Sequence, residues 1–414
     1  MLNEINLEDF KEIFSYLLDN NRKLVSEGKY PIAIGLTGEA GIGKTTVIKE
    51  FAEERGMTFV KLNLGELEEV GDLTGFPVKE FKINELDENG NVAATKWVAH
   101  DLLSTYFTKP CETYEITDES RMGYATPAWL PREENPNGVI LLLDDYTRAS
   151  SLFMQATMEL ICTGKYFSWS LPKNTNIVLS TNPDSSNYQV TTLDEAQASR
   201  FVNFNIKFDL DCFAKWAEAA ELNNKGINFA LTYPEIFESK DGVNKVNARS
   251  YTMFINAISG IEDWSDPKNL ALILNISKGC FSFDKDNIIG SLFTSFIANK
   301  LDKLISPKDM LMEPWDKVKT RIENCVWDSD KKYHPEIASV LGTRLLNYSM
   351  LYLDGKGNKA SVVQDRLIDI VNYKEVKLFN EDIIYHVIKT LAVKYAAKMN
   401  KLLMIPSIKA KLLK

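Results

Sequence analysis

A glycine-rich stretch near the amino end carries the first residues that can do chemistry. The sequence GEAGIGKT places Gly38, Gly43, Lys44 and Thr45 at the spacing glycine, four residues, glycine, lysine, threonine. At this spacing backbone N–H groups converge on phosphate oxygens, the lysine reaches the outer phosphates and the threonine hydroxyl ligates Mg²⁺. The predicted phosphate-binding loop, called the P-loop below, comprises Gly38, Glu39, Ala40, Gly41, Ile42, Gly43, Lys44, Thr45 and Thr46.

The segments on either side of the P-loop support this interpretation. The apolar run YPIAIGLT predicts a buried strand before the loop, and TTVIKEFAEERG predicts an amphipathic helix after it that ends at Gly56. A helix that starts at the loop adds the positive end of its dipole to a phosphate site. The alternative is a glycine-rich turn that matches by chance, and the strand and helix weigh against it.

Two adjacent carboxylates form the second chemical motif. Residues 139–143 are a continuous apolar run that ends in Asp144 and Asp145, a pattern typical of a parallel strand buried on both faces. Ligands of open α/β sheets bind at the carboxyl ends of the strands. We therefore expect Asp144 to ligate Mg²⁺ and Asp145 to orient an attacking water. The alternative is a solvated turn in which an aspartate caps the next helix.

A third strand is predicted at residues 177–179, and the polar residue that follows it is Asn182. Its amide can hydrogen-bond the attacking water or the outer phosphate. The stretch LDEAQASRFVNFNI then predicts a helix that ends at Arg200 and a further strand. Taken by itself, a single arginine before a strand is an ordinary surface charge.

The segment GKYFSWSLPKN, between the second and third strands, alternates aromatic and polar residues and predicts a hairpin. We expect the rings of Tyr166, Phe167 and Trp169 to pack in the core, because aromatic residues of alternating strands usually do. Exposed rings would instead suggest contact with a substrate.

Composition sets limits on the class of protein. The chain has 414 residues with 57 acidic and 48 basic side chains, a net charge of −9. This balance argues against a general nucleic-acid coat but leaves room for a local basic patch. Five widely spaced cysteines, none in a C-x-x-C pair, predict reduced thiols and a cytoplasmic location. No apolar run is long enough to predict a membrane span or a membrane partner.

The length predicts two or three domains. Between the P-loop and the acidic motif lies an insertion, with a hairpin expected around Asn89-Gly90. The predicted fold is α/β, with a parallel sheet flanked by helices, then an α-helical lid and a further helical C-terminal region. The predicted segments are an N-terminal helix over 1–30, the core over 31–210 with the insertion at about 76–131, the lid over 211–300 and the helical region over 301–414.

Five stretches together resemble the AAA+ ATPases, because they occur in the order found in that superfamily. Two further features, DLTGFP after the apolar strand predicted at MTFVKLNL and a hairpin before the asparagine strand, resemble the MoxR-type and dynein-related branch. The resemblance covers about residues 30–260. The five stretches are GEAGIGKTT, LLLDDYTRA, STNP, LDEAQASRF and NARSYTMFINAI.

The resemblance implies a role for each motif residue and places the insertion and the hairpin at the pore of a ring. The alternative for Arg249 alone is an arginine on a helix surface. The implied roles are Walker A for Lys44 and Thr45, Walker B for Asp144 and Asp145, sensor 1 for Asn182, arginine finger for Arg200 and sensor 2 for Arg249.

The chain departs from the family pattern at two places. Family members usually have Asp-Glu and then Asn-Arg, where this chain has Asp144-Asp145 and then Thr147-Arg148. The side chain of Asp145 is one methylene shorter than glutamate, which predicts poorer positioning of the water and slower hydrolysis.

Motifs and resemblance together predict an AAA+ ATPase that binds ATP and Mg²⁺ and assembles into a ring, with a hexamer expected. Hydrolysis would remodel a protein partner, as in a MoxR-like chaperone, and a protein with a von Willebrand A domain is one candidate partner. Because an arginine supplied by a neighbour stabilises the transition state, one subunit alone should be a poor enzyme. A motor acting on nucleic acid and a nucleotide-dependent scaffold with little turnover are the alternatives.

Overall fold

The structure is a computed structural model, and it describes residues 4–107, 114–131, 134–183, 191, 193–238, 246–284, 287–355, 359–405 and 408. The chain divides into two compact units, Met1–Lys207 and Phe208–Lys414. The finer boundaries expected from the sequence stay predictions.

The first unit is an α/β unit. Its described residues form eleven strands: β1 (Glu4–Ile5), β2 (Ala33–Gly38), β3 (Thr58–Asn63), β4 (Pro77–Leu86), β5 (Val92–Ala99), β6 (Tyr114–Tyr124), β7 (Val139–Asp144), β8 (Lys165–Tyr166), β9 (Trp169–Ser170), β10 (Thr175–Thr181) and β11 (Phe201–Ile206). The same residues form six α-helices: α1 (Leu7–Ser26), α2 (Lys44–Glu54), α3 (Val70–Thr74), α4 (Leu103–Tyr106), α5 (Ser151–Thr163) and α6 (Glu195–Ala198).

Six of the strands form one sheet in the order β1-β11-β2-β10-β7-β3, and every neighbouring pair is parallel. All residues of β7 and β10 are buried, as expected where a parallel sheet is covered on both faces. The predicted α/β fold, a parallel sheet flanked by helices around a P-loop core, is confirmed.

Strand β10 lies between β2 and β7. Its Val178 is opposite Ile34 of β2 on one side and Leu142 of β7 on the other. Because the three strands are parallel, their carboxyl ends meet at the same edge of the sheet. That edge receives the P-loop from β2, Asn182 from β10 and the acidic pair from β7.

The helix α1, predicted near the amino end, is amphipathic and packs on this core. Asn6 caps it by accepting a hydrogen bond from the backbone N–H of Asp9 (2.8 Å). The ring of Phe14 packs edge-on against Phe51 of α2, with centroids 4.8 Å apart. Helix α1 therefore supports the helix that starts at the P-loop.

Between α3 and β7 the chain leaves the main sheet and forms a second, antiparallel sheet in the order β5-β4-β6. The hairpin predicted around Asn89-Gly90 connects β4 to β5. The chain enters and leaves this sheet through two adjacent segments, which are joined by a hydrogen bond from the backbone N–H of Ala125 to the carbonyl of Phe76 (2.8 Å). A Cβ on Gly75 would lie 1.7 Å from the Ala125 carbonyl oxygen, so this position requires glycine.

The hairpin of β8 and β9 corrects one expectation. The predicted core position is wrong for Phe167, whose side chain is 80% exposed. Phe167 lies in the turn of the two-stranded β8-β9 hairpin with φ of 37°, outside the alternating strand positions, and its ring stacks on Tyr124 at the end of β6 (5.1 Å between centroids). Trp169 is half-buried, and its indole N–H donates to the carbonyl of Thr74 (2.9 Å).

Apart from one isolated antiparallel bridge between Trp327 and Tyr333, the regular secondary structure described in the second unit is helical, which confirms the predicted helical C-terminal region. None of the helices in the described chain is both long and apolar enough to span a membrane. The helices are α7 (Leu210–Ala219), α8 (Asn224–Thr232), α9 (Ala248–Ala257), α10 (Pro267–Cys280), α11 (Ile288–Ala298), α12 (Pro307–Met312), α13 (Trp315–Val326), α14 (Pro335–Asp354), α15 (Ala360–Asn372), α16 (Glu381–Lys394) and α17 (Asn400–Leu403).

Two apolar cores build the second unit, one from side chains between residues 213 and 301 and one from side chains between residues 305 and 408. Arg344 of α14 is fully buried and connects the two groups of helices. Its guanidinium donates to both carboxylate oxygens of Glu218 on α7 (2.6 and 3.2 Å), to Asn228 on α8 (2.7 Å) and to Asn224. These contacts give the buried charge an opposite charge and a full set of acceptors.

Candidate functional site

The P-loop lies where the sequence predicts it, between a central strand of the sheet and a helix. Strand β2 ends at Gly38 and helix α2 begins at Lys44. Gly43 has φ of 103°, a conformation that residues with side chains rarely adopt. A Cβ on Gly38 would lie 2.7 Å from the carbonyl oxygen of Ile206 on β11. The backbone path of the loop therefore depends on these two glycines.

The side chain of Lys44 is buried inside the loop. Its ammonium donates to the carbonyls of Gly38 (2.6 Å) and Glu39 (3.0 Å), and it lies 3.5 Å from the amide oxygen of Asn182. Such acceptors offset the cost of burying an ammonium group. The loop therefore holds a positive charge among its own backbone groups.

The other loop residues have different surroundings. Ile42 is buried and fixes the loop against the core, whereas Thr46 is exposed on the first turn of α2. Glu39, Ala40 and Gly41 are partly exposed.

Thr45 and Asp144 meet beside the loop. The hydroxyl of Thr45 donates to Oδ2 of Asp144 (3.1 Å), and the ammonium of Lys61 on β3 lies 3.0 Å from the same oxygen. The contact of Lys61 with Asp144 was not predicted from the sequence. The available signal was weak: Lys61 is the single charged residue of strand TFVKLN, and only the strand order shows that β3 is next to β7.

The carboxyl group of Asp144 is ionised at neutral pH. Burial by itself would raise its pKa, but hydrogen bonds from Lys61, Ser180 and Thr45, together with the charge of Lys61, hold the pKa below its usual value. A carboxylate beside a threonine hydroxyl fits Mg²⁺, which proteins bind through one or two carboxylates together with phosphate oxygens. The ammonium of Lys61 shows that this position accommodates positive charge.

Asp145 and Asn182 form the second half of the site. Asp145 has a left-handed backbone with φ of 51°, which aspartate tolerates better than most residues. Its Oδ1 accepts a hydrogen bond from the Asn182 amide (3.1 Å), and the backbone N–H of Asn182 donates to the hydroxyl of Thr147 (3.4 Å). Because the Asn182 amide oxygen faces Lys44, this one side chain connects the P-loop to the acidic pair.

Arg200 is not part of this cluster. The predicted helix is shorter than expected: α6 ends at Ala198, and Arg200 lies in the turn before β11. Strand β11 starts opposite Ala33, at the amino end of β2, whereas the P-loop leaves the carboxyl end at Gly38. Five residue steps along a strand span about 17 Å, which exceeds the length of an arginine side chain. The backbone of Arg200 is therefore too far away for its guanidinium to reach the P-loop of its own chain.

The guanidinium of Arg200 has one hydrogen bond among the described residues, from Nη1 to the carbonyl of Ala196, and its Nε is buried without a partner there. Arg249 belongs to the second unit, where it is exposed on the first turn of α9. The structure thus brings together the predicted residues Lys44, Thr45, Asp144, Asp145 and Asn182 and adds Lys61 to them.

No protein-family model matches the chain, and no curated protein is similar to it in sequence. Among solved structures, two mutants of RuvB from Thermotoga maritima are similar to it. One shares 14% identity with a TM-score of 0.31 and covers 66% of this chain and 77% of its own. The other shares 12% identity with a TM-score of 0.35, and the match covers 94% of this chain and 98% of the RuvB chain. Identity and TM-score are both low, and it is the order of the parallel strands that defines the fold.

Proposed function

We propose that this chain is an AAA+ ATPase that binds and hydrolyses ATP with Mg²⁺ at the carboxyl edge of its parallel sheet. One observation carries the proposal: strands β2, β10 and β7 are neighbours, and they bring Lys44, Asn182 and Asp145 into a continuous chain of contacts. A lysine inside a glycine loop, an amide and a carboxylate are the groups that phosphoryl transfer to water requires.

Each side chain then has a distinct task. The loop N–H groups and Lys44 bind the outer phosphates, and Thr45 and Asp144 hold the metal ion. When bound, Mg²⁺ neutralises charge that develops on the phosphate oxygens. Asp145 orients the attacking water, and Asn182 fixes the carboxylate of Asp145 through the 3.1 Å hydrogen bond.

The proposal includes a ring of subunits, with six as the expected number. Its support is the position of Arg200 at the amino end of β11, too far from the P-loop of its own chain. An arginine supplied by a neighbouring subunit stabilises the transition state in related chemistry. Arg200 would act on the neighbour's nucleotide, and Arg249 would act as sensor 2 from the helical lid.

The proposed substrate is a protein, as in a MoxR-like chaperone, and a partner with a von Willebrand A domain is the first candidate. Support comes from the large apolar side chains Phe76, Met122 and Phe167, which are exposed around the insertion and the hairpin. Solvent-exposed apolar groups of this kind suit contact with a polypeptide.

Charges on the insertion favour a protein over a nucleic acid. Three of its basic residues pair with carboxylates of the same sheet: Lys82 with Glu119 (2.8 Å), Lys96 with Glu85 (2.7 Å) and Arg121 with Glu80 (2.8 Å). Basic groups that bind phosphates of nucleic acid would have to give up these partners.

A nucleotide-dependent scaffold with little turnover is the second candidate, and one observation favours it. The shorter carboxylate of Asp145 is held by Asn182 and lies 3.9 Å from the Nε of Arg148. Both contacts are to the same oxygen, Oδ1, and a carboxylate with one oxygen engaged in this way has less freedom to follow an attacking water. Turnover that is stimulated by a polypeptide or by DNA would exclude this candidate.

The test measures phosphate release from Mg-ATP by the full chain, alone and with an unfolded polypeptide or with DNA, at several salt concentrations. We expect release that rises with protein concentration and is stimulated by the polypeptide. Phe167→Ser should lose the stimulation, whereas the control Tyr16→Ser, an exposed ring on α1, should keep it. Stimulation by DNA that falls steeply with salt would instead establish a nucleic-acid motor. If no phosphate is released under any condition, the nucleotide-dependent scaffold is the remaining candidate.

A further inference from the structure

Lys61 is a charged side chain of the site that none of the motif roles uses. It lies on the edge strand β3, where it is opposite Leu142 of β7, two residues before Asp144. Its ammonium is 3.0 Å from Oδ2 of Asp144, the same oxygen that accepts the hydroxyl of Thr45 (3.1 Å). Lys61 therefore contacts the same carboxylate oxygen of Asp144 as the proposed metal ligand Thr45.

We propose that Lys61 is an internal counter-ion that holds Asp144 in the nucleotide-free protein and is displaced when Mg²⁺ and nucleotide bind together. Lys61 is a positioning residue, since it acts on Asp144 and not on the reacting atoms. The inference rests on the proposed function, because it assumes that Thr45 and Asp144 hold Mg²⁺.

The exposures of the two partners support displacement. The side chain of Asp144 is 12% exposed, whereas that of Lys61 is 44% exposed. A buried carboxylate without a partner is costly, so the pairing with Lys61 stabilises the empty site. Lysine is a flexible point charge with a strongly hydrated head, and its ammonium can move into water when a divalent ion takes its place.

Competition for one oxygen has two opposite effects on binding. With Mg²⁺ present, Lys61 has to leave Asp144, so it weakens binding of the Mg-nucleotide complex. Without Mg²⁺, Lys61 neutralises Asp144 and reduces its repulsion of the phosphates, so it strengthens binding of the free nucleotide. Charges this close interact strongly in a partly buried site, where the effective dielectric constant is lower than that of water. Replacing Lys61 by a neutral residue should therefore increase the preference for the Mg²⁺ complex.

The quantity to measure is the dissociation constant of a fluorescent, non-hydrolysable ATP analogue in EDTA divided by its dissociation constant in excess Mg²⁺. For Lys61→Met and Lys61→Gln we expect this ratio to rise about tenfold over wild type, the effect of about 1.4 kcal/mol. Lys61→Arg keeps the charge and should keep the wild-type ratio. Lys49→Met, which removes an exposed lysine of α2, is the control for loss of one positive charge.

The outcomes separate the inference from the function on which it rests. If Lys61 were a phosphate ligand or only a structural residue, both dissociation constants would rise and their ratio would not increase. That result, or an unchanged ratio in both neutral variants, overturns the role of Lys61 while the nucleotide site stands. A wild-type chain that binds no analogue in either buffer overturns the proposed function, and the role of Lys61 with it.

Discussion

The side-chain amide of Asn182 donates to the carboxylate of Asp145 across 3.1 Å. The two residues follow different strands, β10 and β7, and the parallel pairing of these strands brings them together. The amide oxygen of the same asparagine is 3.5 Å from the ammonium of Lys44. Asn182 thus links the group that would bind phosphate to the group that would orient the water.

This link makes Asp145→Asn a sensitive test of the role in hydrolysis. The substitution preserves size but removes the negative charge that attracts a proton from water. Loss of a positioned base typically costs about 10²–10⁴-fold in rate. We expect phosphate release to fall by at least a hundredfold while the affinity for Mg-ATP, measured by calorimetry, stays near wild type. Unchanged release would remove Asp145 from the reaction.

Arg200 lies just before the amino end of β11, far from the P-loop of its own chain. This position predicts that it serves a neighbouring subunit. Arg200→Ala should bind ATP and hydrolyse it slowly, because the transition state loses a stabilising charge. Mixing Arg200→Ala with Lys44→Ala should restore part of the activity, since a mixed interface pairs an intact loop with an intact arginine. No recovery at any ratio, in rings shown to be mixed, would contradict the role in trans.

Local patterns predicted the parallel core of the fold and most of the site. The P-loop, the Asp144-Asp145 strand and Asn182 were found because each follows a recognisable apolar strand, and parallel strands bring such ends together. Lys61 was missed, since its partner is 83 residues away in sequence and only the strand order joins them. The exposure of Phe167 was also missed, because alternation cannot distinguish a strand from the turn within it.

A buried charge makes the second unit sensitive to substitution at Arg344. Arg344→Met leaves the carboxylate of Glu218 buried without its partner, and breaking a buried ion pair in this way costs about 3–5 kcal/mol. Hydrogen exchange should show faster opening of α7 and α14. The matched control is Arg321→Met, whose ion pairs with Asp309 and Glu313 are partly exposed and which should cost about 1 kcal/mol or less. Equal effects of the two variants would contradict the account of Arg344.

The pair of carboxylates around His334 predicts a pH-dependent contribution to stability. Hydrogen bonds to Glu336 (2.8 Å) and Asp328 (3.2 Å) raise the pKa of His334 above its usual value. A raised folded-state pKa stabilises the fold fully below the unfolded pKa of about 6.5, and this contribution is lost as the pH rises through the folded pKa. His334→Gln should therefore lower the melting temperature more at about pH 5.5 than at about pH 9. An equal loss at both pH values would be inconsistent with this contribution.

The central claim, that the P-loop binds ATP, is tested most directly by calorimetric titration of the wild-type chain and Lys44→Ala with Mg-ATP. Lys44 would supply charge-assisted hydrogen bonds to the outer phosphates, each worth about 1.5–3 kcal/mol. We predict one ATP per wild-type chain and an affinity at least tenfold lower for Lys44→Ala, with Lys49→Ala, an exposed lysine on the same helix, unchanged. Equal ATP affinity in wild type and Lys44→Ala, or no binding by the wild-type chain, would contradict the account.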